Sequence, residues 1–319
     1  MSAQADATTT FHGTEASRRY ITGYLGSSPR LFYRLWKQTN GPKPVLLVVH
    51  GQGEHSGRYV HLGNFFADAG VEVMAIDLRG HGRSEGMPLL IRAYSDWLED
   101  VGRAVGFLAD RKVIVFGHSM GGAIVLTYAR DPGANVVGLI AASPWLKLTE
   151  PPPAWLVALA HGVSTIFPSA RFPTGVDSSK SSSDLEHLRS LEDLDLVHRF
   201  ITYPVYLAAV TAGENLLAHP EVKRPVLLAH GEADRVTSVA ASRDYFERLS
   251  APSKELITYP GLLHELHNER TRQIVLGNYL RWVRELSGSD FAQASDFAKA
   301  TSDKTSDRLD GRDGLGGPE

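Results

Sequence analysis

Residues 112–122 read Lys-Val-Ile-Val-Phe-Gly-His-Ser-Met-Gly-Gly, an apolar run rich in β-branched residues that breaks into Gly-x-Ser-x-Gly and continues as a helix-like stretch. This is the layout of a nucleophile elbow with Ser119 at its apex. In such a turn the serine sits in a strained conformation between strand and helix. Positions 117 and 121 need glycine because the two backbones nearly touch there and a side chain would collide. Five residues alone say little, since glycine and serine abound in ordinary loops. The strand before and the helix after give the pattern its specificity.

Outward from the elbow, short continuous apolar runs recur at Val45–His50, Val71–Asp77, Val113–Phe116, Val136–Ala142, Val226–His230 and Leu256–Tyr259. Runs of this kind, separated by helical patterns, are what a parallel sheet covered by helices on both faces requires. The fold class is α/β. Helices are expected over Tyr59–Ala69, Ser95–Ala109, Met120–Arg130, Ala240–Leu249 and Glu269–Leu286, the last with Ile274, Tyr279, Leu280 and Val283 largely on one apolar face. Tyr20–Tyr24 and Leu31–Trp36 flank a Gly-Ser-Ser-Pro turn and read as an antiparallel hairpin at one sheet edge.

The rhythm fails between 144 and 222, far more chain than the roughly 2–6 residues plus a helix that usually join neighbouring strands. An inserted helical cap is expected there, between two parts of a core at 17–143 and 223–286. It holds Pro151-Pro152-Pro153, the apolar stretch Trp155–Ala160, and a Ser-rich linker at 178–183. The apolar stretch could face a lipid chain or a membrane, but burial against the core is the expectation. Residues 1–16 and 287–319 are polar and poor in large apolar groups, so both ends are expected to be disordered.

At 43% hydrophobic, 22% charged and a formal net charge of -3, the 319-residue chain has the composition of an ordinary globular protein. It has no cluster of Lys and Arg that would suit nucleic acid. The absence of cysteine excludes a thiolate nucleophile, disulfides and Cys-ligated metal. There is no His-Glu-x-x-His pattern or comparable cluster, so no metal is expected. The first ten residues show no secretory leader pattern, and no apolar stretch reaches the roughly 18–20 residues that span a bilayer. A cytoplasmic location is the expectation.

A serine hydroxyl needs a base to take its proton, so the elbow creates a demand for a histidine and an orienting carboxylate further along. Asp234 follows the run Val226–His230 in Gly-Glu-Ala-Asp-Arg-Val, at a strand end where catalytic groups of parallel sheets gather. His264 follows Leu256–Tyr259 in Pro-Gly-Leu-Leu-His-Glu. The order Ser119, Asp234, His264 is that of an α/β-hydrolase. Among 13 histidines, His267 competes with His264 for the base, and Glu232 competes with Asp234 for the orienter. His118 should pack beside the elbow. An oxyanion needs donors, and the backbone N–H of Met120, opening a helix, is one. The second is the backbone N–H of Gln52, in the glycine-rich loop His50-Gly-Gln-Gly-Glu-His-Ser-Gly-Arg-Tyr59.

That loop, Asp-Leu-Arg-Gly-His-Gly-Arg-Ser-Glu-Gly at 77–86, Gly-His-Ser-Met-Gly-Gly at 117–122 and the loops holding Asp234 and His264 resemble the monoacylglycerol lipases and lysophospholipases of the α/β-hydrolase superfamily, the group that includes the serine aminopeptidase-like hydrolases. The resemblance spans about residues 17–286 and implies a carboxylic ester hydrolase acting through an acyl-enzyme without a cofactor. It implies Ser119, Asp234 and His264 as the triad, Gln52 and Met120 as the oxyanion hole, and a small-molecule ester or lipid as substrate; the apolar stretch of the cap offers transient membrane-surface contact. No residue of the cap matches a head-group contact. The alternatives are another carboxylesterase, a lyase or cofactor-free peroxidase on the same scaffold, and a ligand-binding protein with little turnover.

Overall fold

The computed structural model describes residues 19–38 and 44–288. The expectation for 1–16 lies outside the described residues, as does that for 287–319 beyond Gly288; Ser287 closes the last helix. Strands β1 (Ile21–Leu25), β2 (Leu31–Trp36), β3 (Val45–Val49), β4 (Glu72–Ile76), β5 (Val113–His118), β6 (Val136–Ala142), β9 (Val226–Gly231) and β10 (Lys254–Tyr259) form one sheet in the order β1-β2-β4-β3-β5-β6-β9-β10. β1 and β2 are the expected edge hairpin, and β2 also meets β4 antiparallel. All other pairings in this sheet are parallel.

Helices α1 (Val60–Asp68), α2 (Ser95–Phe107), α3 (Met120–Tyr128), α8 (Val239–Arg248) and α9 (Arg272–Ser287) alternate with these strands. Each apolar run carries side chains to both faces, because successive residues of a strand point opposite ways. Leu47 and Val49 join one cluster with Met74, Ile76 and Val115 beneath α2 and α3. Leu46 and Val48 join the other with Val73, Ala75 and Phe116 beneath α1 and α9. Each fully buried Val, Leu, Ile, Met or Phe among them stabilises the fold by about 1.5–3 kcal/mol.

Within the last helix, Val275, Leu276, Tyr279, Leu280, Trp282 and Val283 are buried while Ile274 is 58% exposed. Ile274 is a correction to the expected face. The stripe is set one residue later and is wider, because α9 lies along the sheet with Trp282 donating to the Leu139 carbonyl at 3.2 Å.

The stretch between β6 and β9 contains α4 (Ala154–Ile166), β7 (Arg171–Pro173), α5 (Ser178–Ser181), α6 (Leu185–Ser190), β8 (Phe200–Thr202) and α7 (Tyr203–Ala218). β7 and β8 pair antiparallel as a separate two-stranded ribbon. α7 buries Val205, Ala209, Ala212 and Leu216 and joins the core cluster beneath α3. α4 does not. Only Ala160 of α4 is buried, and Trp155, Leu159, Ile166 and the following Phe167 are each more than half exposed. The expected burial of Trp155–Ala160 against the core is therefore corrected. An apolar helix with no core surface left to cover stays at the surface, since α7 already occupies that layer.

The Ser-rich stretch is also no free linker. Ser181 accepts the Glu265 N–H at 2.7 Å, Ser182 Oγ donates to the Asn268 carbonyl at 2.9 Å, and Ser183 Oγ donates to Glu269 Oε2 at 2.5 Å.

Candidate active site

β5 ends in Gly117-His118, and α3 starts at Met120. Between them Ser119 has φ 53° and ψ -116°, a conformation that L-residues avoid and that marks a strained turn. The packing explains its glycines. A Cβ on Gly117 would lie 2.3 Å from the Gly121 carbonyl oxygen, and one on Gly121 would lie 2.4 Å from the carbonyl oxygens of Val49 and His50. The turn is pinned on both sides, by Ser119 N–H donating to the Ala142 carbonyl (3.0 Å) and Trp145 N–H donating to the Ser119 carbonyl (2.9 Å).

Asp234 and His264 come from loops after adjacent strands, β9 and β10. Parallel pairing puts both loops at the same sheet end as the elbow. His264 Nδ1 lies 2.7 Å from Asp234 Oδ2. The other carboxylate oxygen, Oδ1, accepts from the backbone N–H groups of Val236 (2.7 Å) and Thr237 (3.0 Å). Burial opposes ionisation of Asp234, but the His264 charge and the hydrogen bonds from His230 and His264 outweigh it and hold the carboxyl well below the usual range. For His264 burial disfavours the imidazolium, yet the charge and hydrogen bond of Asp234 win and raise its pKa above the ordinary histidine value.

Both rivals are placed elsewhere. His267 is fully buried, stacked on the Tyr59 ring at 4.7 Å, and its pKa falls well below normal because of burial. Glu232 bonds Arg243 at 2.5 Å and Thr258 Oγ1 at 3.0 Å. His118 packs beside the elbow, its ring 4.7 Å from that of His264, and burial pushes its pKa down to about 4.

Ser119, His264, His118 and Gln52 line one cavity of about 1030 Å³. Its walls include Leu148, Leu156, Val157, Phe172, Leu188 and Tyr206, so most of its apolar lining comes from the stretch between β6 and β9. In the loop after β3 the Gly51 N–H is already taken by Glu54 Oε1 at 2.6 Å, which leaves the Gln52 amide as the next donor along the chain. The Gln52 side chain turns outward, donating to the Phe200 carbonyl at 2.7 Å.

Two sets of residues escaped the sequence reading. The first is a buried ion triad. Arg58 Nε donates to Glu54 Oε2 at 3.0 Å and its Nη2 to Glu265 Oε2 at 2.5 Å, joining the Gln52 loop to the His264 loop. Burial opposes the Glu54 charge, but His118, Arg58, His50 and the Tyr59 hydroxyl hold its pKa at about 2. Its sequence signal was the four-residue spacing of Glu54 and Arg58; the partner Glu265 is 207 residues away. The second set, Thr237 and His230, surrounds Asp234 and had no signal beyond closeness to it.

A strained serine between a parallel strand and a helix, with an aspartate–histidine pair on the next loops, defines an α/β-hydrolase. Residues 40–271 match the family of serine aminopeptidase, S33, and the chain belongs to that family. It is an ester-hydrolysing enzyme. The chain is 33% identical over 261 residues to a monoacylglycerol lipase of Mycolicibacterium smegmatis, covering 80% of this chain and 92% of that protein. It is 33% identical over 250 residues to the monoglyceride lipase of Homo sapiens, covering 75% and 81%. The crystal structure of the Paleococcus ferrophilus monoacylglycerol lipase superposes with a TM-score of 0.72 at 29% identity, covering 81% of this chain and 99% of that one. No helix among the described residues is long and apolar enough to cross a membrane.

Proposed function

We propose that the protein hydrolyses monoacylglycerols with medium or long acyl chains through a covalent Ser119 acyl-enzyme. The observation that carries this reading is the Asp234–His264 pair at 2.7 Å, in the same apolar-walled cavity as the strained Ser119. Asp234 holds the His264 proton on Nδ1, leaving Nε2 to take the Ser119 proton as Oγ attacks the ester carbonyl. The amides of Gln52 and Met120 receive the oxyanion. The imidazolium returns its proton to the departing glycerol oxygen, and a water activated by His264 then releases the fatty acid.

In this reading residues 144–222 form the cap, and Leu156 and Val157 of α4 contact the acyl chain. The exposed Trp155, Leu159, Ile166 and Phe167 touch a membrane surface from a cytoplasmic enzyme, an apolar patch of the kind that marks interaction sites. Lysophospholipids are the second reading. Arg189 and Arg235 line the cavity, and among the described residues neither is in an ion pair, so either offers a charge to an anionic head group.

The test is fluorophosphonate labelling followed by an ester panel. Labelling should vanish in Ser119→Ala, and monoacylglycerols should outpace acetyl esters and lysophospholipids. Equal turnover of acetyl and long-chain esters refutes the lipase assignment. Retained labelling in Ser119→Ala refutes the nucleophile.

A further inference from the structure

Asp234 Oδ2 carries more than the His264 hydrogen bond. Thr237 Oγ1 lies 3.0 Å from it, and Nε2 of a second imidazole, His230, lies 3.2 Å from it. His230 is the penultimate residue of β9 and is fully buried. Its Nε2 faces the Thr237 carbonyl at 3.1 Å as well as Asp234 Oδ2, two groups that only accept, so this nitrogen bears the proton. Its Nδ1 lies 2.8 Å from Ser242 Oγ of α8 and accepts the serine proton. The packing thus fixes one tautomer and locks the ring between a strand and a helix. Both donors are divided: the Thr237 hydroxyl proton lies between Asp234 Oδ2 and the Ser143 carbonyl at 3.1 Å, and the His230 Nε2–H lies between Asp234 Oδ2 and the Thr237 carbonyl.

We propose that His230 is a positioning residue of the ester-hydrolysis reaction, whose Nε2–H holds Asp234 in register with His264 and withdraws negative charge from the carboxylate oxygen they share. The inference rests on the reading of His264 as base and Asp234 as orienter. Its physical content is a competition. A carboxylate that gives charge to two imidazoles gives less to each, so His230 keeps the His264 imidazolium from becoming too stable and keeps the base neutral at lower pH. The other ionisable groups facing His264 are His118 from β5, Glu54 from the loop after β3, and Glu265 and His267 from its own loop. A substitution at His230 leaves all four in place.

The experiment is the pH profile of kcat/KM on a soluble p-nitrophenyl ester for wild type, His230→Phe and His230→Gln, with Asp234→Asn as reference. In His230→Phe, which keeps the ring but has no donor, the acid midpoint should move up by about one pH unit, the order of change when one hydrogen bond to a charge is lost. His230→Gln, whose amide N–H reaches the same point, should return it toward wild type. Lower activity in His230→Phe with an unmoved midpoint would make the residue merely structural and overturn the proposal. Wild-type activity in Asp234→Asn would instead sink the underlying triad. Should His230→Phe not fold, 15N-histidine NMR of the wild-type protein decides: a neutral Nε2–H tautomer at His230 is expected, and an Nδ1–H tautomer excludes donation to Asp234.

Discussion

Arg58→Met should cost the protein much of its stability although Arg58 touches neither Ser119 nor Asp234. The Arg58, Glu54 and Glu265 side chains are 8%, 8% and 10% exposed, so the triad is an interior feature. Methionine keeps the apolar stem and removes the charge. Two buried carboxylates then lose their counter-ion, one of them still holding the Gly51 N–H. Removing one partner of a buried ion pair costs about 3–5 kcal/mol, against a total stability of roughly 5–15 kcal/mol. At about 2–4 °C per kcal/mol for a domain of this size, Tm should fall by roughly 6–20 °C in a thermal melt. Arg58→Lys keeps one charge but cannot fork to both carboxylates, and should lie between. A Tm for Arg58→Met within about 2 °C of wild type would refute the reasoning, because the carboxylates would then be solvated or protonated at no cost.

Two further outcomes follow from packing and burial. Gly121→Ala should leave the protein poorly folded and unlabelled by fluorophosphonate, since its Cβ meets two carbonyl oxygens at 2.4 Å, whereas Gly106→Ala, on an open face of α2 with nothing within 4 Å, should raise stability by about 0.5–1 kcal/mol. Acid should destabilise the fold before the carboxylates titrate: burial holds His118 at about 4 and His61 and His81 at about 3, below the unfolded 6.5, so between pH 6.5 and those values the unfolded chain binds more protons. Urea midpoints should therefore fall steadily from pH 6.5 to 4, at up to about 1.4 kcal/mol per pH unit for each such histidine, with the raised pKa of His264 opposing only above 6.5. A flat profile over that window would contradict the burial argument.

The sheet was legible because its signal is local. Runs such as Val113–His118 are apolar on both faces, and each ends at a glycine or charged turn, so their limits fall within two residues of the apolar stretch. The same locality made Ser119, Asp234 and His264 readable as strand-end positions. What the sequence withheld is whatever depends on competition for a surface. Ala154–Ile166 is as apolar as a core helix, but α7 takes the core position and leaves Trp155 and Leu159 outside. Ile274 was misplaced for a related reason: an apolar stripe fixes a face only to within one residue until the partner is known. Glu265 looked like one more loop charge because its counter-ion lies far away in sequence.

These contacts also constrain how a substrate could enter the cavity. The stretch between β6 and β9 is tied down along most of its length. Ser181–Ser183 bind the loop that carries His264, and His198 N–H bonds the Gly53 carbonyl at 2.7 Å. Asp193 holds Arg34 at 2.7 Å and Arg83 at 2.8 Å, and Thr202 Oγ1 donates to the Leu89 carbonyl at 2.6 Å. Lifting the stretch as one body would break these bonds and disturb both the Gln52 and His264 loops, which the proposed mechanism needs in place. α4 has one buried residue, meets α7 through the edge of the His161 ring on Tyr203 at 5.2 Å, and supplies Leu156 and Val157 to the cavity wall. Local opening is cheapest where buried contacts are fewest. With the cap assigned as proposed, α4 is the element whose displacement would break the fewest hydrogen bonds, and it is the element that carries the exposed apolar face.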